Sequence, residues 1–267
     1  MPRPTWSGAI SFGLVNVPVK LYTAATSRDV QFHQLRVSDG SRIQQRRFAV
    51  ADGEEVTVDE LAKGYEVSPG RHVVVTTEEL ESLRPKGTNA IEIEEFVDFA
   101  EIDPVYFEKS YYLVPDKGAA KPYALLRAAM EQSGKVALGR VVMRNKQYVA
   151  AMRASGNALV LATLYMADEV LPQSSLDDLP GEDVEPSERE LKMAEQLITM
   201  LAGHFDPAEY EDDYRKKLME LIEAKASGQE VVVQEQEAKP GKVVDLMAAL
   251  EASIAAAKTG RGKEQAG

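Results

Sequence analysis

Five arginines, Arg28, Arg36, Arg42, Arg46 and Arg47, make the densest positive stretch of the chain, with only Asp29 and Asp39 in opposition up to Phe48. A guanidinium presents paired N–H donors that match phosphate oxygens, so this run suits a phosphate backbone. Gly40 and Ser41 mark a turn within it, which predicts a basic hairpin with arms at 32–37 and 42–50. Arg46 and Arg47 are adjacent; on a strand they point to opposite faces and do not both grip one row of phosphates. With Lys63 and Arg71 downstream, Arg36, Arg42, Arg46 and Arg47 form the candidate phosphate-contact set. Scattered surface cations are the competing account.

Catalysis lacks its parts. Ser133-Gly134-Lys135-Val136 is the nearest approach to a phosphate loop, but the earlier Gly and the hydroxyl residue after Lys are missing. His33, His72 and His204 are dispersed without metal-ligand spacing, and neither GxSxG nor HExxH occurs. Glu211, Asp212 and Asp213 are neighbours in sequence, and adjacent helix positions do not face one another. With no cysteine, disulfides, thiolate metal sites and thiol nucleophiles are excluded together. The reading is therefore no enzyme, no metal and no cofactor. No sequence-reading helix, zinc finger or aromatic stacking platform is legible either, which favours contact with the backbone and not with bases.

The elements that must carry these residues begin with Trp6 to Tyr22. There Val15, Val17, Val19 and Leu21 alternate with Asn16, Pro18, Lys20 and Tyr22, the period of a strand with one buried face. Pro18 donates no ladder hydrogen bond, so the strand lies at an edge or is paired on one side only at that point. Capping boxes at Thr57/Glu60 and Thr76/Glu79 announce two short helices, with a strand over 71–75 between them. Alternation at Ile91 and Ile93, then at 96–99 and 106–114, continues the β pattern. A helix over 121–132 places Leu125, Leu126, Ala129 and Met130 on one face, ended by Gly134. Strands over 136–143, 147–153 and 158–166 form a meander that should close with the earlier strands into a barrel.

After a Pro/Asp-rich connector the pattern turns helical. Ser187 with Glu190 opens one helix, whose face carries Leu191, Ala194, Leu197, Ile198 and Leu201. Asp206, Pro207 and Glu209 open a second, carrying Tyr210, Tyr214, Leu218 and Leu221. A linker over 226–242 precedes an amphipathic tail helix that presents Val243, Leu246, Met247, Leu250 and Ile254. A helix this short is marginal alone and gains its order from something it binds.

The net charge of −12 opposes nucleic acid if taken as one number, since duplex DNA carries about one negative charge per ~1.7 Å of axis. The distribution is uneven: residues 1–48 net +5, residues 177–224 net −10. No stretch is long and apolar enough to span a bilayer and the start lacks an export signal, so a cytoplasmic protein is expected.

Several words of this sequence, in this order and spacing, resemble bacterial Ku, the DNA-end-binding family of non-homologous end joining. They are Trp6 with FGLVNVPVKLY through Tyr22, FHQL at 32–35, KGY at 63–65, TEEL at 77–80, YYLVP at 111–115, YALLR at 123–127 and the stretch 187–225. The resemblance implies a β-rich α+β fold: a barrel core with a bridge that encircles DNA, a helical arm and a tail helix. It implies the divisions 1–171, 172–226 and 227–267. It also implies a homodimer bound to double-stranded DNA ends through Arg36, Arg42, Arg46, Arg47, Lys63 and Arg71, nucleoid-associated when so bound. The tail helix would then engage the ATP-dependent ligase, ligase D. Where many relatives carry a lysine-rich tail, only Lys258, Arg261 and Lys263 occur, so tail-driven DNA affinity should be weak. The rival from another class is a non-enzymatic interaction scaffold whose basic hairpin meets an acidic protein.

Overall fold

Gly13, at φ 56°, turns the opening stretch back on itself and makes two strands of it, β1 (Trp6–Phe12) and β2 (Val15–Thr23). The computed structural model describes residues 2–83, 89–144, 146–181, 184–228 and 247–255. The expected period holds in β2 from Val17 on: Val17, Val19 and Leu21 are fully buried, whereas Val15, expected on the same face, is exposed beside the turn. Each such side chain stabilises the fold by about 1.5–3 kcal/mol. Pro18 faces Ala9 of β1, and the ladder on its other side begins only at Val19. The missing N–H therefore leaves no gap.

Five further strands belong to the same sheet: β5 (Ala90–Asp98), β6 (Phe107–Pro115), β7 (Lys135–Met143), β8 (Lys146–Ser155) and β9 (Ala158–Leu164). Together the seven make a closed barrel in the order β1-β2-β6-β9-β8-β7-β5. Neighbours are antiparallel except β1 and β5, whose parallel pairing at Ala9–Ala90 to Ser11–Glu92 seals the seam. Closure leaves no free edge, as the sequence reading expects. Between β5 and β7 the backbones approach so closely that a Cβ on Gly139 would stand 2.1 Å from the Glu92 carbonyl oxygen. Only glycine fits there.

One end of the barrel is closed by α2 (Ala120–Ser133), which ends at Gly134 in the left-handed region. Its buried face is Tyr123, Leu126 and Met130. This corrects the expected face: Leu125 and Ala129 are exposed, because the i, i+3, i+7 row that meets the barrel starts at Tyr123. The Tyr123 hydroxyl donates to the Leu113 carbonyl at 2.6 Å and accepts from the Leu159 N–H at 2.8 Å, tying the ends of β6 and β9 together. Between β2 and β5 the chain makes a long excursion, which contains β3 (Lys63–Ser68), β4 (Arg71–Val75) and α1 (Thr77–Ser82).

The chain separates into two compact units, Met1–Ser175 and Leu176–Gly267. The second contains α3 (Glu188–Leu201), capped by the Ser187/Glu190 box, and α4 (Asp213–Ala226). The second helix starts later than expected. Asp206 caps only a single 3-10 turn at Pro207–Glu209, and Asp212 caps α4, which leaves Tyr210 and Tyr214 exposed. No described residue of this unit is fully buried. Among the described residues no helix is long and apolar enough to cross a membrane.

Candidate nucleic-acid interface

The excursion leaves the barrel after Thr23, where the Ala24 N–H donates to the Ser110 carbonyl, and returns at Asn89, whose carbonyl accepts from the Ala9 N–H. Between these anchors no described residue is buried. Polar turns shape it instead. In the first, the Arg36 N–H donates to the Ser41 carbonyl at 2.8 Å, and the Asp39 carboxylate accepts from the Ser41 N–H and hydroxyl. Those two donors hold the Asp39 carboxyl below its ordinary pKa. A second turn runs from Arg47 to Val56, closed by the Phe48–Glu55 bridge and the Ala49 N–H to Glu54 carbonyl bond. The third is the β3–β4 hairpin, in which the Glu66 carboxylate accepts from the Gly70 N–H.

The single long hairpin read from the sequence is thus corrected to two short ones. Residues 42–50 do not pair back along 32–37 beyond Arg42 and Ile43, because Phe48 and Ala49 turn toward 54–55 instead. The expected 71–75 strand is present, and β3 pairs with it over residues where the sequence reading expects no strand, although Tyr65 and Val67 alternate there with Gly64, Glu66 and Ser68.

All six candidate cations lie on this segment, in three places. Arg36 and Arg42 flank the first turn; Arg46 and Arg47 open the second; Lys63 and Arg71 stand at opposite ends of the β3–β4 hairpin. Their partners divide them. Arg36 is held by Asp39 at 3.2 Å and Arg46 by Glu55 at 2.8 Å, whereas Arg42, Arg47, Lys63 and Arg71 have no carboxylate partner among the described residues. Most barrel cations are tied up: Lys20 by Asp116, Lys135 by Asp98, Arg140 by Glu94, Lys146 by Glu169. The excursion is where positive charge is available. Its balance is nevertheless close to neutral, with seven Arg/Lys and eight Asp/Glu over 28–71.

Thirteen large apolar side chains between Phe32 and Leu83 are exposed, among them Phe32, Phe48 and Tyr65 at 60–70%. Apolar exposure on this scale marks an interaction surface. Of the tail-helix residues, Val243 and Leu246 lie outside the described residues. Met247, Leu250 and Ile254 lie in a helix over 247–255 and are half-buried. That helix is linked to α3 by an exposed Arg189–Glu251 ion pair at 3.6 Å.

The family model described as the Ku70/Ku80 beta-barrel domain matches residues 11–193, from β1 through the barrel and the excursion into α3. The chain belongs to the Ku family. It is similar to the non-homologous end joining protein Ku of Anaeromyxobacter sp. (strain K), 52% identical over 99% of this chain and 88% of that one. A relative of the same name in Heliobacterium modesticaldum is 43% identical, over 99% and 95%. The Archaeoglobus fulgidus relative, likewise named, is 43% identical over 96% of this chain and all of its own length. The Ku match includes the excursion, so that segment is part of what the family shares and not an insertion into a borrowed barrel.

Proposed function

We propose that this chain binds the ends of double-stranded DNA without regard to sequence, as a ring-shaped homodimer, in the repair of double-strand breaks by non-homologous end joining. Its role is to hold and protect ends and to recruit an ATP-dependent ligase of the ligase D type, with no catalysis of its own. The observation that carries this reading is the excursion over 24–89. It combines exposed apolar side chains with cations that have no carboxylate partner and no buried residue among those described, which supports reading it as a surface that a second copy would complete. The names borne by the relatives supply the pathway.

In this reading 24–89 is the bridge over the duplex, the barrel is its base, the unit with α3 and α4 is the arm toward the other protomer, and the tail helix is the ligase contact. One turn of duplex, ~34 Å, carries about twenty phosphates. Six cations per protomer neutralise only part of that charge, and two are already claimed by carboxylates. Electrostatic hold is therefore loose, and enclosure supplies the retention.

Topology gives the test. The protein is loaded on linear DNA, both ends are blocked with bulky caps, and the salt is raised. A ring persists on capped DNA and runs off uncapped DNA, and circular DNA competes poorly. Equal loss from capped and uncapped DNA would mean side-on binding and would end this proposal.

A further inference from the structure

The two ends of the barrel differ: α2 plugs one, and the other opens as a mouth. Inward-facing Trp6, Tyr111 and Tyr148 line a cavity there of about 220 Å³, with Thr23, Lys109 and Arg144 around them. The aromatic walls are fixed. The Trp6 indole N–H donates to the Val142 carbonyl at 3.1 Å, reaching across the mouth to β7. Its ring lies over Gly8, where a Cβ would stand 2.2 Å from it. Tyr148 is backed by the Lys146 ammonium, 5.2 Å from the ring centre, and Glu169 anchors that ammonium. Glu108 also lines the cavity; one carboxylate oxygen accepts from the Thr163 hydroxyl and the other lies 3.5 Å from the Lys109 ammonium. Arg144 has no carboxylate partner among the described residues. It sits at φ 49°, a left-handed position that favours Gly or Asn, so a cation occupies a turn site at some backbone cost.

We propose that this mouth binds one phosphorylated nucleotide, its base against Trp6 and Tyr148 and its phosphate on Lys109 and Arg144. Every base has a π face for such walls, and the cations supply the charge-assisted donors a phosphate needs. The volume lies below the ~300–1,000 Å³ of sites for larger ligands, which admits a single base with its phosphate at the rim. The inference rests on the DNA-end reading above for its source of ligand. Thr23 lines the mouth and is the last residue before the excursion departs, and Asn89, where it returns, lies against Gly8 beside the Trp6 ring. The excursion thus departs and returns beside the mouth, and the nucleotide proposed for it is an unpaired one at the end of DNA that the excursion holds.

Trp6 is the only tryptophan of the chain, so its fluorescence reports on this cavity alone. DNA-free, full-length protein is titrated with 5′-dAMP, deoxyadenosine and inorganic phosphate. The expected result is a saturable change with dAMP and a response to deoxyadenosine weaker by roughly tenfold or more, as befits a ligand without the charged group. Arg144→Gly, which suits the left-handed turn, and Lys109→Gln each weaken dAMP by a similar factor without lowering the unfolding temperature. No saturation, equal midpoints for dAMP and inorganic phosphate, or an unaffected Arg144→Gly variant would overturn the site. Duplexes with and without an unpaired 5′-phosphorylated nucleotide then distinguish sources: a response confined to the overhang assigns the terminal nucleotide, and none assigns a free one. Failure of the capped-DNA experiment removes the end-binding reading and leaves the dAMP titration standing.

Discussion

Charge partners rank the candidate DNA contacts at the level of single residues. Arg42 and Arg47 have no carboxylate partner among the described residues, while Glu55 competes with phosphate for Arg46 and Asp39 competes for Arg36. Replacing Arg42 and Arg47 with Gln should weaken duplex binding and shallow the slope of log K against log salt by about 0.9 for each phosphate no longer neutralised. The proposed dimer should survive, since exposed side chains add little to packing. Glu55→Gln should act in the opposite direction, tightening DNA binding by freeing Arg46. An unchanged slope in the first variant, with weakened binding only through loss of fold, would remove these residues from the interface. The sequence shows the arginines but not this ranking, because Glu55 lies nine residues from Arg46 and is brought back only by the second turn.

Among the elements, α2 is held on the barrel by its apolar face of Tyr123, Leu126 and Met130 and, beside it, by one buried hydroxyl. Tyr123→Phe leaves the Leu113 carbonyl and the Leu159 N–H without their partner, which should cost about 1–3 kcal/mol in thermal or denaturant unfolding. Burial raises the Tyr123 pKa, so the folded state holds the proton more tightly than the unfolded one. That stability is complete below the ordinary tyrosine pKa of about 10 and is lost as pH rises toward the folded value. Tyr123→Phe should flatten the alkaline limb of the stability profile; an unaltered limb would deny the hydroxyl this role. At the tail, Leu250→Asp and Ile254→Asp should abolish the proposed stimulation of a ligase and spare end binding, and a parallel fall in both activities would make that helix part of the DNA-binding body. The barrel is legible in the sequence because alternation in β2 and at the start of β5 reports one buried face, and because short apolar runs bounded by turns mark β7, β8 and β9. Two things are not. The face of α2 depends on which row meets the strand ends, and the extra turn at 47–56 depends on backbone bonds of Phe48 and Ala49 that no periodicity records. The aromatic mouth is equally hidden, since Trp6, Tyr111 and Tyr148 are far apart in the chain and meet only when the barrel closes.

Taken whole, the molecule confines its core to the barrel and leaves both other parts, the excursion and the helical unit, without a fully buried described residue. Those parts should order against a second copy. Serine at Phe32 and Tyr65 should loosen the proposed dimer in sedimentation at low concentration while the barrel melts as before; a dimer of unchanged strength would place the interface elsewhere. The parallel seam between β1 and β5 adds a consequence for how the chain folds. Two strands that lie side by side are separated by the entire excursion, so the seam forms only after that length has been looped out, a pairing that slows folding. Closure entropy, however, grows by only about 0.6 kcal/mol for each doubling of a flexible loop. From the register, Thr23 and Ala90 are two interstrand spacings and about five residues of rise apart, on the order of 20 Å. A linker of roughly ten residues spans that gap. The barrel is thus a socket nearly indifferent to what is threaded through it, and evolution could lengthen, shorten or recode the excursion without renegotiating the fold.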